Sequence, residues 1–405
     1  MLRLDDVMLL ERFIRYVKID TQSDDFSSST PTTEKQFNLL NLFKSELDEL
    51  KVKNELTKTG RLYAFVPGNE KLDPIGVCAH VDTAPDFSGE NVNPQIIEKY
   101  DGKVILLGKS GRFLDPKEYP VLNNLIGKTL ITTDGTTLLG ADDKAGVSII
   151  MEVICEVLKI NENERHPMYI LFTPDEEVGR GAEELDKDKF KAKFAYTFDG
   201  GEPEVVNIET FNAKGASLKV KGKTIHPGSA KGIMVNAAAI VTEFVSKLPK
   251  DMVPEKTEGH EGFNHLIEIS GHCEEASAHF ILRNHDRKLL EEQANRFREI
   301  ADELSKKYPG AKIELELKDQ YSNMLEIISK QPECKNYIES IFKKLGKECR
   351  YEAVRGGTDG ATFSFKGCPT PNLGTGSYNH HGPYEFACLE QMQELVKLGV
   401  EIFKK

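Results

Sequence analysis

Histidine and acidic residues recur in this sequence where apolar, strand-like runs come to an end. The run "IGVCA" is followed by His80 and Asp82, and "LLGADDKAGVS" places Asp142 and Asp143 after another apolar run. Residues two apart in a strand point to the same face, so His80 and Asp82 project together. A metal-binding histidine usually donates its second ring N–H to a carboxylate, which this pair allows. A core histidine beside a turn aspartate is the alternative interpretation.

Three further segments add groups of the same kind. They are "LFTPDEEVGRGA" with Asp175, Glu176 and Glu177, "TFDGGEP" with Asp199, and "GTGSYNHHGPYE" with His380 and His381. A helix cap or an exposed turn explains any one of these acids alone. Together they form a mixed nitrogen and oxygen ligand set, which suits Zn²⁺, Co²⁺ or Mn²⁺ better than Mg²⁺ or Ca²⁺.

Such a ligand set indicates hydrolytic chemistry. Two metal ions that share one carboxylate can clamp a bridging water and lower its pKa from 15.7 toward ~7. An additional carboxylate that binds no metal, Glu176 or its neighbour, would then accept the proton as general base.

The elements that must position these groups alternate between strand and helix. Up to about Gly201 the segments "YAFVPG", "IGVCAHVD", "PMYILFTPDEE" and "FAYTFDGG" read as strands, and "DKAGVSIIMEVICEVLKI" reads as an apolar helix packed on a sheet. This order predicts an α/β domain with a mainly parallel mixed sheet flanked by helices. Ligands of open α/β sheets gather outside the carboxyl ends of the strands, where the acids and histidines lie.

The predicted pattern of strands and helices changes near Glu209. Alternating strand patterns, a helix, two strands joined by a turn, the amphipathic helix "RKLLEEQANRFREIADELSKKY" and the strand "AKIELELKDQY" follow in β-α-β-β-α-β order. We therefore expect a smaller α+β lid domain over residues 209–321. It is inserted into a catalytic domain made of residues 1–208 and 322–405.

Composition narrows the function classes. The 405 residues carry a formal net charge of −12 and no dense basic tract, so nucleic acid is not an expected partner. No segment approaches the ~18 apolar residues needed to cross a bilayer, and the N-terminus lacks the apolar core of a signal peptide. The seven cysteines are scattered and form no C-x-x-C pair, which predicts reduced thiols in the cytoplasm.

Several motifs together resemble one family. "AHVDT", "LGADDKAG", "TPDEEVGRGA", "FDGGEP", "HPGSAKG", "RGGTDGA" and "SYNHHGPYE" are similar, in sequence and order, to the motifs of the co-catalytic zinc aminoacylase/carboxypeptidase family of peptidases. The resemblance extends along essentially the whole chain. It is strongest to a cytoplasmic branch of the family that releases the N-terminal residue from tripeptides.

The resemblance implies a metal-binding role for five residues. One zinc ion would be held by His80, Asp142 and Asp199. A second would be held by Asp142, Glu177 and His381, so that Asp142 bridges the two ions. The resemblance also implies that the peptide bond after Asp142 is cis. Cobalt or manganese are possible substitutes, because they accept similar ligands.

Further roles follow from the same resemblance. It implies that Glu176 is the general base, that Asp82 orients the first histidine ligand, and that His226 in "TIHPGSAKG" polarises the scissile carbonyl. Arg283 and Arg355 are candidates for binding the substrate's carboxylate, because a guanidinium binds carboxylate through two parallel hydrogen bonds. A turn histidine and surface arginines are the alternatives.

Two other functions remain open at this stage. A dipeptidase, carboxypeptidase or N-acyl amino acid deacylase of the same family would share the metal ligands, and substrate profiling separates these activities. A non-catalytic peptide- or metal-binding protein is the second alternative. The pair Glu176 and Glu177 argues against it, because a binding protein has no need of a base beside a metal ligand. The sequence leaves the oligomeric state open.

Overall fold

The computed structural model describes the backbone of residues 4–405 and the side chains of residues 8–405. The helices are α1 (Leu4–Val17), α2 (Gln36–Glu49), α3 (Ala141–Leu158), α4 (Ala237–Lys247), α5 (Arg287–Lys307), α6 (Leu325–Ile328), α7 (Glu333–Lys344), α8 (Asp359–Phe365) and α9 (Leu389–Phe403). The strands are β1 (Lys53–Leu56), β2 (Leu62–Val66), β3 (Ile75–His80), β4 (Gln95–Ile97), β5 (Ile105–Leu106), β6 (Phe113–Leu114), β7 (Leu130–Thr132), β8 (Met168–Thr173), β9 (Phe194–Gly200), β10 (Val205–Glu209), β11 (Asn212–Lys221), β12 (Phe263–Gly271), β13 (Glu275–Asn284), β14 (Lys312–Tyr321), β15 (Arg350–Ala353), β16 (Asn372–Gly374), β17 (Ser377–Tyr378) and β18 (Phe386–Cys388).

The chain forms two compact units. Unit 1 consists of Met1–Ile208, Met324–Glu352 and Thr358–Lys405, and unit 2 consists of Glu209–Asn323 and Ala353–Gly357. The partition into domains over 1–208, 209–321 and 322–405 stays a prediction. The short segment Ala353–Gly357, which begins at the last residue of β15, was not foreseen to belong to unit 2.

Unit 1 is built on an eight-stranded mixed sheet with the order β1-β2-β8-β3-β9-β16-β10-β15. The parallel pairs are central: β3 pairs with β8 and with β9, and β16 pairs with β9. Antiparallel pairs flank them, between β1 and β2, β2 and β8, and β10 and β16. The mixed α/β fold predicted from the sequence is confirmed.

Burial explains why the central strands read as unbroken apolar runs. Every residue of β3 is buried, and so are five of the six in β8. A strand covered by helices on both faces has no solvent side to be polar. Helix α3 is buried along most of its length, as its apolar sequence predicts. The polar ends of these strands are therefore the exception that needs a functional explanation.

Unit 1 also contains a four-stranded sheet, β17-β18-β7-β4, and the β5/β6 hairpin. Neither was predicted, because their strands are only two or three residues long and carry no readable periodicity. The small sheet joins residues near 96 and 131 to residues near 377 and 387. It thereby carries the C-terminal histidine loop beside the segment that leads into α3.

Unit 2 is one four-stranded antiparallel sheet, β12-β13-β11-β14, with α4 and α5 packed against it. Its elements follow the predicted β-α-β-β-α-β order, as β11, α4, β12, β13, α5 and β14. Strand β13 alternates strictly between buried and less buried positions, which is the pattern of a sheet with one covered face. Among the described residues, no helix combines the length and apolar character needed to cross a membrane.

Candidate metal centre

The centre forms where three neighbouring parallel strands end. Strand β3 lies between β8 and β9, so the carboxyl ends of all three meet at one edge of the sheet. His80 is the last residue of β3, Asp199 lies near the end of β9, and Glu176 and Glu177 follow the end of β8. Nε2 of the buried His80 lies 3.4 Å from an Asp199 carboxylate oxygen.

Asp82 connects two parts of the centre. One of its carboxylate oxygens lies 3.3 Å from Nδ1 of His80, and the backbone carbonyl of Asp82 lies 3.1 Å from the same nitrogen. The backbone N–H groups of Glu176 and Glu177 donate to its two carboxylate oxygens at 3.0 and 3.2 Å. Asp82 is fully buried. It therefore fixes the His80 ring and the turn that carries both glutamates.

Asp142 lies between two histidines. Its Oδ1 lies 2.9 Å from Nε2 of His80, and its Oδ2 lies 3.5 Å from Nε2 of His381. The same nitrogen of His381 lies 2.9 Å from Oε2 of Glu177. Asp142 stands at the irregular start of α3, with φ −84° and ψ 104°, and the peptide bond that follows it is cis, as the resemblance implied. One carboxylate thus presents one oxygen to each histidine.

Two groups of side chains in this centre are close enough to hold a metal ion. One consists of His80, Asp142 and Glu177, and the other of His80, Asp143 and Asp199; within each group the candidate ligand atoms lie within 4.8 Å of one another. Both groups combine imidazole with carboxylates, the donor set that divalent transition metals prefer.

The electrostatics of the centre fit a bound cation. Burial opposes protonation of His80, but hydrogen bonds with Asp142, Asp199 and Asp82 outweigh it and raise its pKa well above the ordinary value. Burial, followed by the charge of Asp142, raises the pKa of Glu177 to about 7. Oε1 of Glu177 is buried and has no hydrogen-bond partner. A positive charge would therefore stabilise these closely spaced carboxylates, and their combination with histidine nitrogens suits metal ions.

Glu176 differs from its neighbour. Burial, and then the charge of Asp199, raise the pKa of the Glu176 carboxyl well above its usual range. In the part of the chain that the structure describes, no ion pair or hydrogen bond holds its carboxylate, whereas Glu177 contacts His381. A half-buried carboxylate with a raised pKa and no partner is suited to accept a proton.

Two acids of the predicted cluster have local structural contacts. The carboxylate of Asp175 accepts hydrogen bonds from the backbone N–H and hydroxyl of Thr32 and from the side chain of Gln36, and its φ of 56° shapes the turn before Glu176. Asp143 accepts hydrogen bonds from the backbone of Gly146 and, at 3.3 Å, of His80. Asp175 therefore supports the glutamate turn.

Sequence reasoning assigned no role to Glu385, which is 1% exposed. The backbone N–H groups of Leu139 and Gly140 donate to its Oε2 at 2.8 and 2.7 Å, and that of Asp142 donates to its Oε1 at 2.9 Å. Glu385 thereby holds the chain that presents Asp142. An acid directly before the apolar strand β18 was the available signal.

His380 was noted in the sequence without an assigned role. Its Nδ1 lies 3.2 Å from Oδ2 of Asp142, and its Nε2 lies 2.9 Å from the Ser377 hydroxyl. Burial opposes the protonated ring, but Asp142 raises the pKa of His380 to about 9. Two adjacent histidines thus face the same carboxylate oxygen of Asp142.

The other predicted site residues lie in unit 2. His226 is exposed, and its Nδ1 accepts a hydrogen bond from the backbone of Gly228 at 3.1 Å. Arg283 donates to the side chain of Gln320 at 2.9 Å and lies over the ring of Tyr321. Their roles toward substrate stay predictions.

Arg355 also lies in unit 2. Its Nη1 donates at 2.8 Å to the carbonyl oxygens of Gly259 and Glu261, and its guanidinium lies over the rings of Phe211 and Phe263. These contacts tie it to the loop before β12. Its predicted role in binding a substrate's carboxylate stays a prediction.

Comparisons with known proteins identify related sequences and folds. Residues 208–309 match the model of a peptidase dimerisation domain. The chain is 46% identical over 396 residues to a peptidase T from Staphylococcus aureus strain Newman, with 97% of both proteins covered. Its fold matches the crystal structure of a tripeptidase from Staphylococcus aureus Mu50, with a TM-score of 0.78, 21% identity and 98% of each chain covered.

Two further solved structures share the fold. The aminopeptidase PepT of Bacillus cereus ATCC 10987 matches with a TM-score of 0.76 at 21% identity, covering 98% of this chain and 97% of that one. A dinuclear metal-binding peptidase of the M20 family from Bacillus subtilis matches with a TM-score of 0.65 at 12% identity, covering 98% and 97%.

The mixed α/β fold, the histidine and carboxylate groups at the ends of β3, β8 and β9, and the similarity to a peptidase along nearly the whole chain define a metallopeptidase. Within that class, 46% identity along nearly the full length of both chains is decisive. The chain belongs to the peptidase T family.

Proposed function

We propose that the chain is an aminopeptidase with two zinc ions that releases the N-terminal residue from tripeptides. The observation that carries the proposal is the position of Asp142, whose two carboxylate oxygens face His80 on one side and His381 on the other. The names of the similar proteins, peptidase T, aminopeptidase and tripeptidase, support the substrate class.

Each metal ion would have its own ligand set around the shared Asp142. His80 and Asp199 would complete the first set, and Glu177 and His381 the second. When bound, the ions would supply Lewis acidity that lowers the pKa of a water molecule and polarises the scissile carbonyl. Zinc is proposed over magnesium because each set contains an imidazole nitrogen.

The protein's own groups would move the proton. Glu176 has a half-buried carboxylate with a raised pKa, so it is a stronger base than an exposed glutamate. We propose that it takes a proton from the attacking water and delivers it to the leaving amine. Asp82 would keep the first histidine oriented through its contact with Nδ1 of that ring.

Unit 2 would supply the contacts to the substrate. We propose that His226 polarises the scissile carbonyl and that Arg283 and Arg355 bind the C-terminal carboxylate of the peptide. The cytoplasm is the proposed location, supported by seven cysteines that are all free.

The first experiment combines metal removal with product analysis. A tripeptide with three different residues is incubated with the protein as purified, after chelation, and after addition of zinc. Hydrolysis should disappear on chelation and return with zinc, and the products should be the free N-terminal residue and a dipeptide. Release of the C-terminal residue instead would show a carboxypeptidase, and cleavage of an N-acetylated amino acid would show a deacylase.

The second experiment tests how the length of the peptide is recognised. A charged hydrogen bond is worth ~1.5 to 3 kcal/mol, which is ~10- to 150-fold in kcat/KM if it forms in the transition state. The amide of a tripeptide should therefore be cleaved more slowly than the free acid, and Arg283→Ala should remove most of the difference. Arg296→Ala, at an exposed position on α5, is the matched control. Equal rates for acid and amide in the unmodified protein would exclude recognition of the carboxylate.

A further inference from the structure

Unit 2 contains a further group of side chains that lie close enough together to hold a metal ion and that the catalytic proposal does not use. Glu209, His260 and His285 each present one ligand atom, and these three atoms lie within 4.8 Å of one another. Nε2 of His260 lies 3.1 Å from Oε2 of Glu209, and Nδ1 of His285 lies 3.5 Å from Oε1 of the same residue. We propose that these three residues form a separate binding site for a zinc-like divalent cation.

His285 is held as metal-binding histidines usually are. Its Nδ1 lies 3.1 Å from the carbonyl oxygen of Thr210, which can only accept, so Nδ1 carries the proton; the 3.5 Å contact with Glu209 is therefore made by this N–H and not by the nitrogen that would bind the ion. Its Nε2 is buried and has no hydrogen-bond partner. Since an unpaired buried polar atom is costly, this nitrogen needs an explanation. A ring that donates one N–H to a backbone carbonyl and keeps the other nitrogen unprotonated is prepared to bind a metal.

The surroundings fix the His285 ring. It stacks on Phe211 with a centroid distance of 4.3 Å, and the His260 ring lies 4.6 Å away on centroids. The backbone carbonyl of His285 accepts hydrogen bonds from the side chains of Asn212 and Asn323 at 2.8 and 3.1 Å. The ligand is therefore positioned before any ion arrives, which lowers the ordering cost of binding.

His260 is positioned by Arg355. The guanidinium donates to the carbonyl oxygens of Gly259 and Glu261, the residues on either side of His260, at 2.8 Å each. A third hydrogen bond joins it to the hydroxyl of Thr257 at 2.9 Å. The positive charge of Arg355 disfavours a cation nearby. The carbonyl oxygens that accept its hydrogen bonds partly offset this charge. The turn that Arg355 stabilises also holds His260 near Glu209.

The ligand types define the class of cation. One carboxylate and two imidazoles are a common zinc set, in which a water or another molecule takes the fourth position. Mg²⁺ and Ca²⁺ prefer oxygen ligands alone, so they are excluded by the two nitrogens. The exposed His260 lies on a cleft of about 660 Å³ that also includes Asp251 and Asn284, which gives an ion a path from solvent.

A metal count tests the proposal. The full-length protein is stripped with a chelator and titrated with Zn²⁺ under equilibrium dialysis, and bound metal per chain is measured by mass spectrometry. His260→Gln should bind one equivalent fewer than the unmodified protein, whatever number the centre in unit 1 holds. Glu209→Gln should lose the same equivalent. His260 is exposed, so its substitution should leave the fold intact.

His279→Gln is the matched control. This histidine lies in the same unit on β13, half-buried and outside the group. It should bind as many equivalents as the unmodified protein. The ¹⁵N shifts of His260 and His285 should also move together on addition of Zn²⁺. Equal metal counts in the unmodified protein and His260→Gln, or a loss in His279→Gln as well, would overturn the proposal.

Discussion

The support that Glu385 gives to Asp142 leads to a quantitative prediction. Three backbone N–H groups donate to its carboxylate, at 2.7 to 2.9 Å, and the residue is almost fully buried. In Glu385→Gln, the amide oxygen can keep the two bonds from Leu139 and Gly140. The amide NH₂ would then face the N–H of Asp142, and two donors cannot pair.

The cost follows from the number of bonds lost. Leaving one buried N–H unsatisfied costs ~1 to 3 kcal/mol, so Glu385→Gln should lower the free energy of unfolding by about that amount. Glu385→Ala removes the acceptor from all three N–H groups, and we expect a loss of ~3 kcal/mol or more. Both values are to be measured by urea denaturation of the metal-free protein, so that lost metal does not contribute.

The second readout is metal affinity, because Glu385 should act on Asp142 as well as on the fold. Residues that orient metal ligands typically contribute ~10- to 100-fold in affinity. Glu385→Gln should therefore weaken metal binding, measured by competition with a chelating dye. Glu390→Ala is the matched control, since it removes the carboxylate that accepts the backbone N–H of Thr129 at 2.8 and 3.0 Å. It should lose stability but keep its metal affinity.

Two outcomes would refute the reasoning. If Glu385→Gln matched the unmodified protein in stability, the three hydrogen bonds would not be worth what their burial implies. If Glu385→Gln and Glu390→Ala weakened metal binding equally, the effect would come from general destabilisation. The assignment of Glu385 as a positioning residue would then be wrong.

Three further predictions concern the same unit. Glu176→Gln should lower kcat at least ~10²-fold with metal content unchanged, whereas Glu177→Gln should lower metal content; equal metal loss in both would contradict the roles. Burial lowers the pKa of Lys144 in the folded protein to about 8, so above pH 8 the unfolded chain binds more protons than the folded one. The free energy of unfolding should therefore rise by up to ~3 kcal/mol toward pH 10. Denaturation curves of Lys144→Met should not show that rise. Gly146→Ala should lower the free energy of unfolding by ~3 kcal/mol or more, because the added β-carbon would lie 2.0 Å from a backbone carbonyl oxygen of β9. A β-carbon at Gly382 has no atom within 4 Å, so Gly382→Ala should change the same quantity by less than ~0.5 kcal/mol.

Local patterns were sufficient to predict the elements that carry the centre. The unbroken apolar runs of β3 and β8 follow from burial on both faces, and the alternation in β13 follows from burial on one face. Because parallel strands aligned by helices end at one edge, the polar ends could be expected to lie together. The β-α-β-β-α-β order of unit 2 was readable for the same reason, since each of its strands is nine or ten residues long.

Features that depend on pairing between segments far apart in the chain could not be predicted from the sequence. The small sheet joins β4 and β7 to β17 and β18 across more than 200 residues, and its strands are too short to show a period. Asp175 and Glu176 are adjacent acids in one motif, but only the structure shows that the side chains of Thr32 and Gln36 donate hydrogen bonds to the Asp175 carboxylate. Neighbouring acids of identical appearance can thus have different partners, and the sequence does not say which.

The position of Asp142 shows how these two kinds of information combine. Its place at the start of an apolar helix is a local property, and the sequence indicates it. Its ability to face His80 with one oxygen and His381 with the other depends on where the chain of α3 begins. That start is held by Glu385, which lies 243 residues away in the sequence and is not itself placed to bind a metal. If Asp142 shares two ions, as we propose, its carboxylate must be held rigidly, because a rotation that improves one contact would break the other. On that proposal, the small sheet that places Glu385 beside Asp142 contributes to the geometry of the metal centre.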